Sequence, residues 1–476
     1  MSLLIVIERW ALLEECIAAV ATPIAPSGIS VIRLSGERAI EIAAKVFVPV
    51  KNQSLLELEG YRAAYGHIFD GKEPIDDAVA LVFRAPNSYT GEDVVEVSCH
   101  GGIAIIDRAL ELFYNNGARP AQSGEFTKRA FLNDKMTLTQ AEAVMDIINA
   151  QSFSSLKAAN SAKRGVLYRK INQICDDITK IDGHIQAWLD YPDEDLDLVD
   201  SDDVKKKLYQ VKDDIENLLN SYRLRNLIKN GVKTVIVGKP NVGKSTIMNF
   251  LSGEEKSIVT NISGTTRDIV ENVIQIDGLM FVLFDTAGIR LSDDVVEKIG
   301  VERAKSKIKE ADLILFVVDG SEKIQQNEFD VLKYCENVPK ICVLNKMDLG
   351  FVENSIDFEK FDCVVETSSK DLKTMENLKQ NMISLTQLNS LDCEAPLLFN
   401  ERQKLAVKKA LDELKNALGA IESGFTWDAV IISIDAAIDS LLELNGENLS
   451  EHIVNEVFSK FCVGKWLFGS FQQVVN

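Results

Sequence analysis

Apolar and polar positions along this chain change their rhythm three times, dividing it into four blocks that alternate between mixed α/β and helical patterns. From Cys16 to about Asn133 the apolar runs are short and strand-like, as at Ile29–Leu34, Ala78–Phe83 and Val94–Cys99. Turn signals such as Ala85-Pro86-Asn87 and His100-Gly101-Gly102 separate them, which predicts a mixed α/β region. From Leu138 to about Asn226 the apolar residues recur at three and four positions, the spacing of one helix face. From Val232 to about Thr386 short buried-type strands alternate with helical stretches, as in a parallel doubly wound sheet. Helical spacing returns from Asn400 to Phe461, for example at Leu405, Leu411, Leu414, Leu418 and Ile421. The pattern predicts an N-terminal α/β domain over 16–134, and a helical domain over 135–230 and 389–465. A doubly wound domain over 231–388 interrupts the helical one.

The third block carries the strongest chemistry. The strand Lys233–Val237 runs into Gly238-Lys239-Pro240-Asn241-Val242-Gly243-Lys244-Ser245, and Thr246 then continues a helix through Leu251. This is the phosphate-binding loop pattern in its strand–loop–helix setting. Its glycines let backbone N–H groups turn inward around phosphates at a helix N-terminus. Lys244 would reach the β- and γ-phosphates, and the Ser245 hydroxyl would coordinate Mg²⁺. Alone, the motif does not dismiss a plain glycine turn capping a helix.

Four further segments, in order, remove that reading. Thr260-Asn261-Ile262-Ser263-Gly264-Thr265-Thr266-Arg267-Asp268 offers a threonine able to close over Mg²⁺ when a triphosphate is bound. The run Phe281–Phe284 ends in Asp285-Thr286-Ala287-Gly288, a carboxylate for the Mg²⁺ water shell and an N–H to sense a γ-phosphate. The strand Ile341–Leu344 ends in Asn345-Lys346-Met347-Asp348. Asp348 can accept both the N1–H and the 2-amino proton of guanine, a pair that adenine lacks. Thr367-Ser368-Ser369-Lys370 would supply a backbone N–H to the guanine O6. Most of these segments end a strand, where doubly wound folds bind ligands, so the expectation is a P-loop GTPase. Many GTPases orient water with a Gln directly after this D-x-x-G glycine, where this chain has Ile289. Hydrolysis must use another residue, a cation or a partner. Asn241 could ligate a monovalent cation beside the phosphates. Asp293, Asp294 and Glu297 could position water, although acids also favour the first turn of a plain solvated helix.

Composition narrows the setting. With 476 residues and 46% hydrophobic content the chain can bury several cores, and a net charge of −20 repels nucleic acid as a whole. Any RNA contact needs a local basic patch; Lys163-Arg164, Lys205-Lys206-Lys207 and Arg223-Leu224-Arg225 qualify, as do ordinary helix surfaces. The eight cysteines form no C-x-x-C pair, which favours reduced thiols and no structural zinc. Cys462 reads as a structural thiol near a helix end, with a nucleophilic role the alternative. The first apolar run, Leu3 to Ile7, stops at Glu8 and Arg9, too short for a bilayer and without a positive leader. No membrane association and a cytoplasmic location are expected.

The motif set resembles the TrmE–Era group of GTPases, and the flanks are similar to its MnmE (TrmE) family of tRNA modification GTPases. The segments that carry this are Ala21-Thr22-Pro23 through Gly36, Pro86 through Glu96, Ser123-Gly124-Glu125-Phe126, and Phe131 through Lys135. Leu138-Thr139-Gln140-Ala141-Glu142-Ala143, Tyr191 through Asp195, and Phe461-Cys462-Val463-Gly464-Lys465 complete it. The resemblance implies a GTPase activated by K⁺ and by dimerisation across its switches. The matching K⁺ ligands are Asn241, Thr260, Ile262 and Thr265; Mg²⁺ falls to Ser245 and Thr266. Glu297 matches the family's catalytic Glu, beside Lys244 and Thr266. The N-terminal domain would form a homodimer and bind a 5-formyltetrahydrofolate-type donor through Arg33, Glu96, Lys135 and, from the C-terminal motif, Lys465. The implied partner is the flavoprotein MnmG (GidA), carrying FAD and using NADH, in a heterotetramer that adds an aminomethyl-type group to the wobble uridine of certain tRNAs. Residues Met1–Glu15 and Trp466–Asn476 have no counterpart in the family pattern, and a tail beyond Lys465 could crowd a folate site. Two other readings stand beside this one: a GTP-dependent switch on ribosomes or membranes, and a one-carbon transferase that GTP only regulates.

Overall fold

The computed structural model describes residues 15–51, 53–190, 200–253, 271–285, 308–323, 332–333, 338–352, 358–386, 392–446 and 451–461. They fall into two compact units. One is built from the chain up to Met145, Tyr168–Lys212 and the chain from Leu405; the other from Asp146–Leu167 and Asp213–Lys404.

The first unit holds a seven-stranded sheet in the order β3-β4-β5-β6-β2-β1-β7. Its strands are β1 (Cys16–Val20), β2 (Ser27–Ser35), β3 (Phe47–Pro49), β4 (Arg62–Asp70), β5 (Glu73–Phe83), β6 (Val94–Gly101) and β7 (Ala118–Pro120). Neighbours are antiparallel except β1 and β7, which pair in parallel. The period-two pattern of the strands sets the faces. Ile32 and Leu34 on β2, and Val95, Val97 and Cys99 on β6, are buried in the core against the helices Ala39–Val46 and Ile103–Asn115. Arg33 and Glu96 fall between them on the opposite face and lie directly across from each other in the register. The same unit holds a smaller cluster of Leu138, Ala141, Val454, Phe458 and Phe461, which joins the start of the helix Leu138–Ile148 to the helix Glu451–Ser459. Asn445 Nδ2 donates to Asn172 Oδ1 at 2.6 Å and the Tyr209 hydroxyl to Glu422 at 2.9 Å, linking helical stretches far apart in sequence.

The second unit holds a six-stranded sheet in the order β13-β12-β11-β8-β10-β9. Its strands are β8 (Val232–Val237), β9 (Glu271–Ile276), β10 (Leu279–Asp285), β11 (Leu313–Asp319), β12 (Lys340–Asn345) and β13 (Cys363–Glu366). All pair in parallel except β9, the antiparallel partner of β10. Parallel strands covered on both sides read as continuous apolar runs, and β11 is buried along its whole length. One face packs Ile247, Met248 and Leu251 of the helix Lys244–Gly253 with Met375, Leu378 and Met382 of the helix Leu372–Leu385. The other face buries Phe316, Cys342 and Phe361. The strand order places β8 at the centre, so the loop that leaves it opens between β10 and β11. Among the described residues no helix is long and apolar enough to cross a membrane.

Candidate functional site

Three loops converge at the carboxyl edge of the six-stranded sheet. The first leaves β8 at Gly238 and enters the helix Lys244–Gly253. Gly238, Asn241 and Gly243 all have positive φ, at 151°, 65° and 100°, the backbone region that favours glycine. At Gly243 the need for glycine is steric as well. A Cβ there would come within 2.0 Å of the Asn345 amide nitrogen. Lys244 is buried, and its ammonium donates to the carbonyls of Gly238 at 2.8 Å and Lys239 at 2.6 Å. The charge expected to meet phosphates is thus already held over the loop. Val242 is buried; Asn241, Ser245 and Thr246 are exposed on the loop and the first helical turn.

The second loop follows β12. Asn345 is buried, and its side chain works as a joint: Nδ2 donates to the Val242 carbonyl at 2.8 Å, and Oδ1 accepts from the Thr367 hydroxyl at 3.1 Å. Lys346 takes a positive φ of 63° and pairs with Asp319 at 2.6 Å. Asp319 ends β11, and its other oxygen accepts from the Ser321 N–H and hydroxyl. Burial would push the Asp319 carboxyl up, but the bonds from Lys346 and Ser321 outweigh it and hold it below the usual range. Sequence reading missed this residue. Its signal was the strand-ending Asp319-Gly320-Ser321 at the same sheet edge.

The third loop follows β13 and closes the base side. Lys370 pairs with one oxygen of Asp348 at 2.7 Å, and the Ser368 hydroxyl donates to the other at 2.9 Å. Those two bonds hold the Asp348 carboxyl below the ordinary range, so it is ionised and fixed in orientation. The Ser368 N–H is taken by the Thr374 hydroxyl and the Lys370 N–H by the Ser368 hydroxyl. Ser369 is exposed, and Met347 is half-buried.

Asp285 ends β10 beside β8, on the same edge as the other motifs. Thr260, Asn261, Ile262, Ser263, Gly264, Thr265, Thr266, Thr286, Ala287, Gly288 and Glu297 lie outside the described residues, as do Tyr191–Asp195, Cys462 and Lys465.

A second polar cluster sits on the outer face of the seven-stranded sheet. Arg33 meets Glu96 at 2.7 Å, with side chains 28% and 24% exposed, so the pair is reachable from solvent. The Arg33 guanidinium lies 5.6 Å from the ring centroids of both Tyr89 and Phe126, two walls that sequence reading did not single out. Lys135 is exposed and donates to the Pro86 carbonyl at 3.0 Å, on the loop that carries Tyr89. That loop is pinned from below: Thr90 bonds Ser35 at 2.7 Å, and Glu92 takes Ser35 at 2.6 Å and buried Arg129 at 3.1 Å. Arg129 in turn meets Glu125 at 3.1 Å. Burial raises the Glu92 carboxyl above its ordinary value despite Arg129.

The basic patches fare differently. Lys205 and Lys207 pair along their own helix with Asp202 and Asp203. Arg225 is buried, paired with Asp146 at 3.0 Å and 5.2 Å from the Phe399 ring centroid, so it offers no surface charge. Arg164 stays 60% exposed.

Residues 16–135 match the family model for the GTP-binding protein TrmE N-terminus, and residues 138–462 match that for the MnmE helical domain. The chain is 38% identical over 457 residues to the tRNA modification GTPase MnmE of Thermoanaerobacter pseudethanolicus, covering 95% of this chain and 99% of that protein. The protein of the same name from Clostridioides difficile is 37% identical over 460 residues, covering 95% and 100%. That from Carboxydothermus hydrogenoformans is 39% identical over 463 residues, covering 95% and 100%.

Proposed function

The chain belongs to the MnmE family of tRNA modification GTPases, and on that footing we propose how its residues divide the work. It binds and hydrolyses GTP in the service of tRNA modification. The observation that carries the detailed reading is the convergence of the Lys244 loop, Asn345 and the fixed Asp348 carboxylate on one sheet edge. In this reading the amides of Gly238–Ser245 enclose the phosphates, with Val242, Gly243 and Thr246 lining the cradle. Lys244 turns from its loop carbonyls to the β- and γ-phosphates. Asp348 accepts the guanine N1–H and 2-amino group. Asn345, Lys346 and Met347 shape the base side. The Ser369 N–H, with Ser368 and Lys370 engaged around it, is the amide best placed for the guanine O6.

Two cations complete the site. Ser245, exposed on the first helical turn, fits an Mg²⁺ ligand together with Thr266. Asn241, exposed and turned outward by its positive φ, fits a K⁺ ligand with Thr260, Ile262 and Thr265. A K⁺ there supplies positive charge beside the phosphates where other GTPases use an arginine. Glu297 orients the attacking water in place of the glutamine replaced by Ile289. Asp285 to Gly288 and Thr260 to Thr266, including Asn261, Ser263 and Gly264, form the switches that close on the triphosphate. GTP turnover at saturating nucleotide is expected to rise at least about tenfold when K⁺ replaces Na⁺, a lowering of the barrier by about 1.4 kcal/mol. Equal rates in the two salts, read as phosphate release, would remove the cation from the mechanism.

The cluster on the other sheet fits a folate-type one-carbon donor. A partly exposed guanidinium between two aromatic walls, with a carboxylate across the register, suits the flat hydrogen-bonding edge of a pterin. Lys135 and Lys465 suit a glutamate tail. The N-terminal domain forms a homodimer, and the flavoprotein MnmG joins it in a heterotetramer. Together they add a carboxymethylaminomethyl or aminomethyl group to C5 of the wobble uridine of certain tRNAs, in the cytoplasm. The domain division that accompanies this reading is 16–134, 135–230 with 389–465, and 231–388. Wobble-base analysis of tRNA from cells lacking the protein tests it. The C5 modification is expected to vanish, to return with the intact chain, and not with Lys244→Ala. A full complement of modified wobble uridine in the deletion strain refutes the reading.

A further inference from the structure

The helix Phe153–Lys163 opens with Ser152 and Ser155 exchanging side-chain-to-backbone bonds at 3.1 and 3.2 Å, which fixes where its first turn begins. From that start Phe153, Lys157, Asn160 and Arg164 recur at spacings of four, three and four, so they share one face. The face lines a groove of about 530 Å³ with Lys163 and Glu394. Phe153 stands 70% exposed at one end, where a buried position is the norm for so large an apolar ring. Lys157 and Arg164, 48% and 60% exposed, reach the single carboxylate of Glu394 only at 3.8 and 3.6 Å. Such loose exposed pairs hold little energy and yield readily to a stronger anion.

Three cations against one acid make the groove positive, in a chain whose net charge is −20. A polyanion is repelled elsewhere and guided to such an exception. A protein partner with an acidic face would meet the charges, but it gives no reason for the ring. Cations spaced along a groove that ends in an open aromatic face are the chemistry of RNA: phosphates take the guanidinium and ammonium groups, and an unstacked base takes the ring. The face spans roughly 16 Å along the helix, room for more than one phosphate. We infer that this groove is an RNA contact surface of the chain itself. Lys157, Lys163 and Arg164 hold backbone phosphates, Asn160 hydrogen-bonds between them, and Phe153 stacks on a base. The inference rests on the reading above that tRNA is the macromolecule acted upon, and assigns where the chain touches it.

The test is binding of labelled bulk tRNA to the full chain over a salt series, with GTP turnover measured in parallel. For the triple variant Lys157→Gln, Lys163→Gln, Arg164→Gln the slope of log affinity against log salt should shrink by about two to three, with affinity down at least tenfold at low salt. GTP turnover should stay unchanged. Phe153→Ser should weaken binding about fivefold or more and leave the slope alone. Glu394→Gln should tighten binding, because it removes the competing carboxylate. If the intact chain binds tRNA and the triple variant shows the same slope, the groove is not the surface and the tRNA reading survives. If the intact chain binds no tRNA even at low salt, the inference that the chain itself contacts RNA fails, whereas the tRNA reading is decided by the wobble-base analysis. If the triple variant keeps its tRNA affinity and loses a protein partner, the groove belongs to that partner instead.

Discussion

Asp348→Asn weakens GTP binding by about a hundredfold or more, and shifts preference toward xanthosine triphosphate. The carboxylate supplies two acceptors for two guanine donors, and charge-assisted bonds are the stronger kind. An amide in its place turns one acceptor into a donor that faces the 2-amino group. Sites built to match polar groups reject the mismatched partner steeply, because a polar atom is left unpaired. Xanthine carries an oxygen where guanine has that amino group, so the same amide matches it. The Lys370 ammonium, 73% exposed, loses its partner at little cost because water replaces it. Calorimetric titration with both nucleotides in Mg²⁺ and K⁺ checks this. Undiminished GTP affinity in the variant would remove Asp348 from base recognition.

Gly243→Ala disables the phosphate loop by a different route. The backbone there has a φ of 100°, which costs an alanine about 1–3 kcal/mol. The new methyl group must also displace the Asn345 amide, 2.0 Å from where its carbon would stand. Moving Asn345 strands the Val242 carbonyl, at about another 1–3 kcal/mol. Together about 2–6 kcal/mol turns against the closed loop, and GTP affinity falls at least about thirtyfold. Asn345→Ala, which loses the bonds without backbone strain, should fall less far. Circular dichroism reports whether the variants stay folded, and fluorescent-GTP titration reports the affinities. Gly243→Ala binding GTP as well as the intact chain would mean that the loop does not form the cradle.

The nucleotide site is the part of this molecule most plainly written in its sequence. Its residues come in short contiguous runs, most of them leaving a strand whose continuous apolar character marks it as buried, and a parallel sheet delivers such ends to one edge. Asp319 escaped because its one local signal, a strand-ending Asp-Gly-Ser, does not by itself separate a residue that braces Lys346 from an ordinary turn residue. The seven-stranded sheet was harder. Only β2, β5 and β6 were legible as strand-like runs, the pairing of β1 with β7 spans most of the unit, and period-two alternation says nothing about neighbours. Arg33 and Glu96 are 63 positions apart, and only the register of β2 with β6 makes them partners. From the residues alone they were surface charges; family resemblance, not spacing, singled them out. Burial also reversed one expectation. Arg225 looked like part of a basic patch, but helical phase turns it inward onto Asp146 and Phe399 while Arg164 stays outside.

Because one buried amide spans from the Val242 carbonyl to the Thr367 hydroxyl, displacing that single side chain would break a bond to the loop after β8 and a bond to the loop after β13 together.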